Sequence, residues 1–169
     1  MSHGDQQWKR MISHSPILYA EDDENDSFLT QRAFKQEEIR NPLVIVSDGK
    51  AAVEYLAGTG QYANREEHPL PSLILLDLKM PGKSGLEVLE WIRNQPGISV
   101  LPVVMLTSSD QESDIHRAYL LGANGYLVKP NKPEEISAMA KAIKDFWLTV
   151  NRNPRASGAP LGIPAKRAE

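Results

Sequence analysis

Six side chains of this chain carry groups that could do chemistry together, and each follows a short apolar run. Glu21, Asp22 and Asp23 follow Ile17–Ala20 (ILYA), and Asp77 follows Leu73–Leu76 (LILL). Thr107, with Ser108 and Ser109 behind it, follows Val103–Leu106 (VVML), and Lys129 follows Tyr126–Val128 (YLV). Carboxylates gathered at one place repel one another and stay ionised together when a cation sits among them. Hard oxygen donors on a compact site suit Mg²⁺, which keeps several waters and takes few protein carboxylates. Lys129 adds a fixed positive charge and Thr107 a neutral donor. Such a set suits a phosphoryl group held covalently on one carboxylate, its oxygens neutralised by metal and lysine. Asp77, alone after the central run, is the best acceptor.

Each residue has a plainer reading by itself. Acids before a helix favour its dipole. An Asp or Thr after a strand is commonly a turn or cap residue, and a Lys before Pro is ordinarily a solvated loop residue. None of these plainer readings explains their order, at four of five corresponding positions.

The elements that must position these groups are legible as alternation. The runs named above and a fifth, Leu43–Val46 (LVIV), are continuously apolar, as strands buried on both faces are. Helical patterns lie between and after them, over Glu24–Gln36, Lys50–Ala57, Ser84–Asn94, Glu112–Leu121 and Pro133–Val150. In the last, Ile136, Met139, Ala140, Ile143, Trp147 and Val150 make one amphipathic stripe. Five strand–helix units predict a doubly wound α/β fold with right-handed crossovers. In an open parallel sheet, ligands bind beyond the carboxyl ends of the strands, where all the candidate groups fall. Ser47-Asp48-Gly49 reads as a helix cap and turn. The long connection from Gly58 to Ser72 is of a length often functional or mobile.

Composition narrows the classes. The chain has 169 residues, 41% hydrophobic and 24% charged, with a net charge of -3. That suits one soluble domain with tails. The absence of cysteine excludes a disulfide framework, a thiolate metal site and a Cys nucleophile. No basic excess suggests nucleic acid, and no apolar run suits a membrane span or a signal peptide. A cytoplasmic protein is expected, binding neither nucleic acid nor membrane. Residues 1–15 read as a flexible tail and 16–150 as the folded domain. Residues 151–169 hold three of the twelve prolines and read as a Pro/Gly-rich tail or docking arm, too short for an effector domain.

The motif set ILYAEDD, LILLDLKMPGKSGLEVL, VVMLTSS and GANGYLVKP resembles the receiver domain of two-component response regulators. The resemblance implies a flavodoxin-like (βα)5 fold with a five-stranded parallel sheet in the order 2-1-3-4-5. It makes Asp77 the phosphoacceptor and Glu21 and Asp22 the acidic pair, with Asp22 a direct metal ligand and Glu21 acting through water. Asp77 and the main-chain carbonyl of Lys79 complete the Mg²⁺ site, with Mn²⁺ or Ca²⁺ as substitutes in crystals. Thr107 is the switch hydroxyl, Tyr126 the switch aromatic coupled to it, and Lys129 the phosphoryl-binding lysine before a cis Lys129–Pro130 bond. Met80-Pro81-Gly82 holds the metal carbonyl, and Gly85 starts the third helix. The donor is a phosphohistidine on a sensor histidine kinase.

The long insertion after the second helix, the Ser-Asp-Gly turn, Leu101-Pro102 and the Phe146-Trp147 pair are similar to stand-alone receivers serving phytochrome-type kinases. A bacteriophytochrome is therefore the expected partner. Phe146, Trp147 and Leu148 are three large apolar residues in a row, which one helical face cannot bury together. They suggest a homodimer through helix 4, strand 5 and helix 5, with the C-terminal tail as an arm.

Two rivals remain. An aspartate-nucleophile phosphohydrolase also uses a strand-end Asp, but places a second acid two positions later, where this chain has Lys79. A phosphorylation-independent pseudo-receiver would not need the complete acid, Asp, Thr and Lys set. Gly58-Thr59-Gly60-Gln61-Tyr62-Ala63 fits a dinucleotide fingerprint but follows a helix, the wrong context. The histidines (His3, His14, His68, His116) lack metal-ligand spacing.

Overall fold

The structure, a computed structural model, describes residues 15–154. Five parallel strands, β1 (Ile17–Ala20), β2 (Leu43–Val46), β3 (Leu73–Leu76), β4 (Val103–Thr107) and β5 (Gly125–Val128), pair in the order β2-β1-β3-β4-β5. The helices are α1 (Glu24–Gln36), α2 (Gly49–Ala57), α3 (Gly85–Arg93), α4 (Glu112–Leu120) and α5 (Pro133–Asp145). The expected doubly wound architecture is the one observed.

Strand alternation divides the core into two layers. Leu18, Ala20, Ile74, Leu76, Val103 and Met105 pack on one face with α2, α3 and Ala118 of α4. Ile17, Tyr19, Leu73, Leu75, Val104 and Leu106 pack on the other, with Ala33 and Phe34 of α1 and Ile136, Ala140 and Ile143 of α5. The three inner strands are buried throughout, which is why their sequences run apolar without alternation.

Caps set the entry of the helices that flank the site. Asp23 accepts from the Asp26 amide (2.9 Å) and starts α1. Asp48 accepts from Ala51 (2.7 Å) and starts α2, as its turn motif predicts. Ser84 caps α3 rather than lying inside it. Gly58 takes a left-handed φ of 69° to end α2, so the dinucleotide-like motif is a helix C-cap followed by a 3-10 turn over Gly60–Tyr62. The long connection after it is tied down. Arg65 donates to the carbonyls of Tyr55, Leu56 and His68, and the His68 ring meets Tyr55 and Tyr62 edge-on while the two tyrosines pack tilted against each other.

Two expectations are corrected. The last helix does not run regularly to Val150. It passes at Phe146 into a π-helical turn over Phe146–Val150, where Thr149 Oγ1 donates to the Lys144 carbonyl and the Asn151 amide to the Phe146 carbonyl. The wider turn rotates the register, so Trp147 and Leu148 both pack on the α1–α5 layer while Val150 leaves the stripe, 66% exposed. Among the described residues no peptide bond is cis, so Lys129–Pro130 is trans. The trans form of an X–Pro bond is favoured by about 0.5–1 kcal/mol. Lys129 is already placed by its own amide on the Thr107 carbonyl (2.7 Å).

Beyond the turn, Asn153 donates to the Trp147 carbonyl (3.1 Å) and to the Ser72 carbonyl (3.4 Å), so residues 151–154 fold back on their own domain. The rest of the expected arm, 155–169, and residues 1–14 of the expected N-terminal tail, with His3 and His14, lie outside the described residues.

Candidate phosphoacceptor and metal site

Register explains why residues far apart in sequence meet. Ala20 pairs with Leu76, so the next residues, Glu21 and Asp77, leave the sheet side by side, and the Asp77 amide donates to the Ala20 carbonyl (3.1 Å). Thr107 pairs with Val128, which brings Lys129 to the same edge. Parity then sorts the faces. Tyr19, Leu75 and Leu127 point to the α1–α5 layer. Two residues on, Glu21, Asp77 and Lys129 meet on that side. Met105 and Tyr126 pack toward the α2–α4 layer, and Thr107 shares their parity.

The Lys129 ammonium is the centre of the arrangement. Its Nζ donates to Glu21 Oε2 (2.6 Å), Asp77 Oδ2 (3.0 Å) and Asp26 Oδ2 (3.0 Å). The Lys129 and Glu21 side chains are only 13% and 1% exposed, so this is no screened surface pair. Burial pulls the ammonium's pKa down, but the contacts with Glu21, Asp26 and Asp77 outweigh it, and the net shift is upward. Lysine stays charged at any ordinary pH.

Glu21 is held from three directions. Besides Lys129, its Oε1 accepts from the Asp23 amide (3.1 Å) and its Oε2 from the Tyr19 hydroxyl (3.2 Å). Tyr19 lies two residues back on the same strand face, fully buried. Burial pushes the Glu21 carboxyl up to about 7, Lys129 opposing and Asp77 adding to the rise. Burial, with the Glu21 charge, also raises the Tyr19 phenol well above its ordinary value, so it remains a donor.

One oxygen each from Glu21, Asp22 and Asp77 lies within 4.8 Å of the other two. Glu21 and Asp77 are buried and Asp22 is exposed, so the cluster opens to solvent on one side. Even with Lys129 among them the carboxylates outnumber the ammonium. An all-oxygen, net-negative, partly open cluster fits a hard divalent cation. It is the only such group of acids and histidines among the described residues. Lys79 is exposed beside it, Met80 is tucked into the core, and Gly82 turns the chain with φ 72°. Gly85 begins α3 against the backbone of Asp77, where a Cβ would lie 1.9 Å from the Asp77 carbonyl oxygen.

Thr107 is 1% exposed at the end of β4, its Oγ1 accepting from the Ser109 amide (3.4 Å). Tyr126 is tied to the same loop, its hydroxyl donating to the Ser109 carbonyl (2.9 Å). Ser109 Oγ in turn donates to Asp114 on α4 (2.6 Å). The Thr107 and Tyr126 positions are therefore linked through one short loop. Of the three apolar residues after α5, Phe146 is 50% exposed and packs edge-on against Trp147, while Trp147 and Leu148 are half-buried.

Sequence reasoning gathered Glu21, Asp22, Asp77, Thr107 and Lys129 at one edge, and the structure brings them there. Asp23 is a helix cap rather than part of the site. Two neighbours were missed. Asp26 lies inside the first turn of α1, past the strand-end positions where chemistry is expected, and only its three-residue offset from the Asp23 cap could have pointed to it. Tyr19 passed as an apolar strand residue, although its place two before Glu21 puts both on one face.

The chain is similar to known proteins along most of its length. The family model "Response regulator receiver domain" matches residues 17–141. Response regulator Rcp1 of Synechocystis sp. is 41% identical over 140 residues, covering 83% of this chain and 93% of Rcp1. The crystal structure of the phosphorylated cyanobacterial phytochrome response regulator RcpA superposes with a TM-score of 0.77 at 38% identity, covering 83% of this chain and 99% of RcpA. The Mn²⁺-bound form of Rcp1 gives 0.74 at 40% identity, over 83% and 99%. With four strand ends converging on one acidic, lysine-bound site and the family model spanning most of the folded residues, this chain belongs to the response regulator receiver domain family.

Proposed function

We propose that this receiver accepts a phosphoryl group on Asp77 from a phosphohistidine of a sensor histidine kinase and signals through protein contacts. The observation that carries the reading is the Lys129 ammonium bridging Asp77 and Glu21 beside the Glu21–Asp22–Asp77 oxygen cluster. An Asp77 carboxylate oxygen forms the new bond to phosphorus as the phosphorus–nitrogen bond of the phosphohistidine breaks. The imidazole keeps the electron pair and takes a proton from water. Lys129 holds a charge-assisted hydrogen bond on the reacting carboxylate and neutralises the phosphoryl oxygens. Asp22, Asp77, Glu21 through water, and the Lys79 carbonyl would hold Mg²⁺, which when bound offsets phosphoryl charge as a Lewis acid.

Thr107 would then turn its hydroxyl toward the phosphoryl group. Tyr126, linked to it through Ser109, would follow and change the face made by α4, β5 and α5. The receiver promotes its own modification without turnover. The Lys79 position, two after Asp77, lacks the acid a phosphohydrolase would use.

The names of the relatives, a phytochrome response regulator and a bacteriophytochrome response regulator among them, support a bacteriophytochrome as kinase, and a cytoplasmic setting belongs to the same reading. Among the described residues no helix is long and apolar enough to cross a membrane. Exposed Phe146, with Tyr119, Leu120 and Val128, gives α4–β5–α5 an apolar face suited to a homodimer. Light scattering on Phe146→Glu tests the dimer, and an unchanged dimer mass would remove that face. The test of the central reading is intact-protein mass spectrometry after incubation with acetyl phosphate and Mg²⁺. Wild type should gain one phosphoryl group and Asp77→Asn none. A wild type that gains nothing where another receiver does would sink it.

A further inference from the structure

We infer that Asp26 is a positioning residue for phosphoryl transfer, the third anchor that holds the Lys129 ammonium over Asp77. The inference rests on the Asp77 reading and deepens it. An ammonium has three N–H donors, and here each meets one carboxylate: Glu21, Asp77 and Asp26, at 2.6, 3.0 and 3.0 Å. Glu21 and Asp77 come from the sheet, while Asp26 comes from the first turn of α1 and closes the tripod from outside. Three acceptors from different elements define a point, whereas two leave a flexible four-carbon stem free to swing.

There is room for it to swing. A cavity of about 190 Å³, lined in part by Asn25, Leu29, Pro130, Asn131 and Met139, opens beside Asp26 and Lys129. An ammonium released from Asp26 can relax into that space, away from the reacting oxygen. The α1 cap uses the Asp26 backbone amide and not its carboxylate, so replacing the side chain leaves the cap in place. That side chain is 38% exposed, so a replacement there faces solvent in part.

The test compares wild type with Asp26→Ala, Asp26→Asn and Asp26→Glu. Acetyl-phosphate phosphorylation is followed at saturating Mg²⁺, Mg²⁺ affinity by calorimetry, and the Lys129 side-chain ammonium by ¹⁵N NMR. Asp26→Ala and Asp26→Asn should slow phosphorylation about tenfold with Mg²⁺ affinity changed by less than about threefold. The ordered Lys129 ammonium signal should be lost in both, and Asp26→Glu should recover rate and signal in part. Unchanged or faster phosphorylation, or a Lys129 signal retained without Asp26, overturns the inference. If wild type itself takes no phosphoryl group, the Asp77 reading fails. The ammonium signal then still decides whether Asp26 holds Lys129.

Discussion

Gly85→Ala separates close packing at the site from backbone preference. Gly85 has an ordinary helical φ, so alanine would gain up to about 1 kcal/mol of helix preference. Against that, the new Cβ would stand 1.9 Å from the Asp77 carbonyl oxygen, 2.8 Å from its carbon and 3.2 Å from Leu78 Cα. All three are backbone atoms, so no rotamer relieves the contact. The gap must open by about 1 Å, and overpacking of that kind costs roughly 1–3 kcal/mol, occasionally more. The Gly85 amide is bonded to the Leu78 carbonyl (2.9 Å), so the strain falls on the segment carrying Asp77. The clash wins by about 1–2 kcal/mol, a fall in Tm of about 2–8 °C for a chain of this size. Displacing the acceptor by such a distance should slow its phosphorylation by about 10–100-fold. Gly60→Ala is the control, since nothing lies within 4 Å and only its φ of 60° is strained. It should lose about 1 kcal/mol with an unchanged phosphorylation rate. Thermal melts and phosphorylation time courses check both variants. A Gly85→Ala protein with wild-type Tm and rate would refute the close-contact reasoning.

Three further outcomes are expected. Arg93→Met should cost about 2–4 kcal/mol in urea unfolding, because the guanidinium alone spans the Gly122, Ser99 and Leu101 carbonyls and Asn124 Oδ1. Amide exchange in the α4–β5 connection should quicken with it. Glu21, raised to about 7 from an ordinary 4.5, keeps its proton in the folded chain after the unfolded chain has released it. Its contribution to metal-free stability is therefore complete below pH 4.5 and lost as pH rises through about 7. Mg²⁺ affinity runs the other way, rising with pH over that window, and calorimetry on Glu21→Gln should show both dependences flattened. Tyr19→Phe removes one donor from Glu21 and should cost about 1 kcal/mol by thermal melt, with the acceptor still phosphorylated.

The architecture was legible because local patterns report it. Continuous apolar runs mark strands buried on both faces, and helical periodicity between them demands a wound sheet. The end of α5 was not legible. Ile136 to Ile143 follow helical spacing, but whether Phe146, Trp147 and Leu148 continue it depends on what they can pack against. A π-helical turn seats two of them on the α1–α5 layer. The trans Lys129–Pro130 bond was equally out of reach, since it depends on where tertiary contacts hold Lys129.

By itself, then, the sequence determined which groups gather at the carboxyl edge of the sheet, because strand order and parallel register carry Glu21, Asp77, Thr107 and Lys129 there together. The tertiary structure alone decided how they divide the work. Parity past the strand ends sets Glu21, Asp77 and Lys129 on the α1–α5 side, while Thr107 and Tyr126 share the opposite one. Asp23 is spent on a cap, and Asp26, one helical turn later, is turned inward onto the lysine. Hydrogen bonds such as these depend on distances of a few ångströms between elements, which spacing along a chain does not encode.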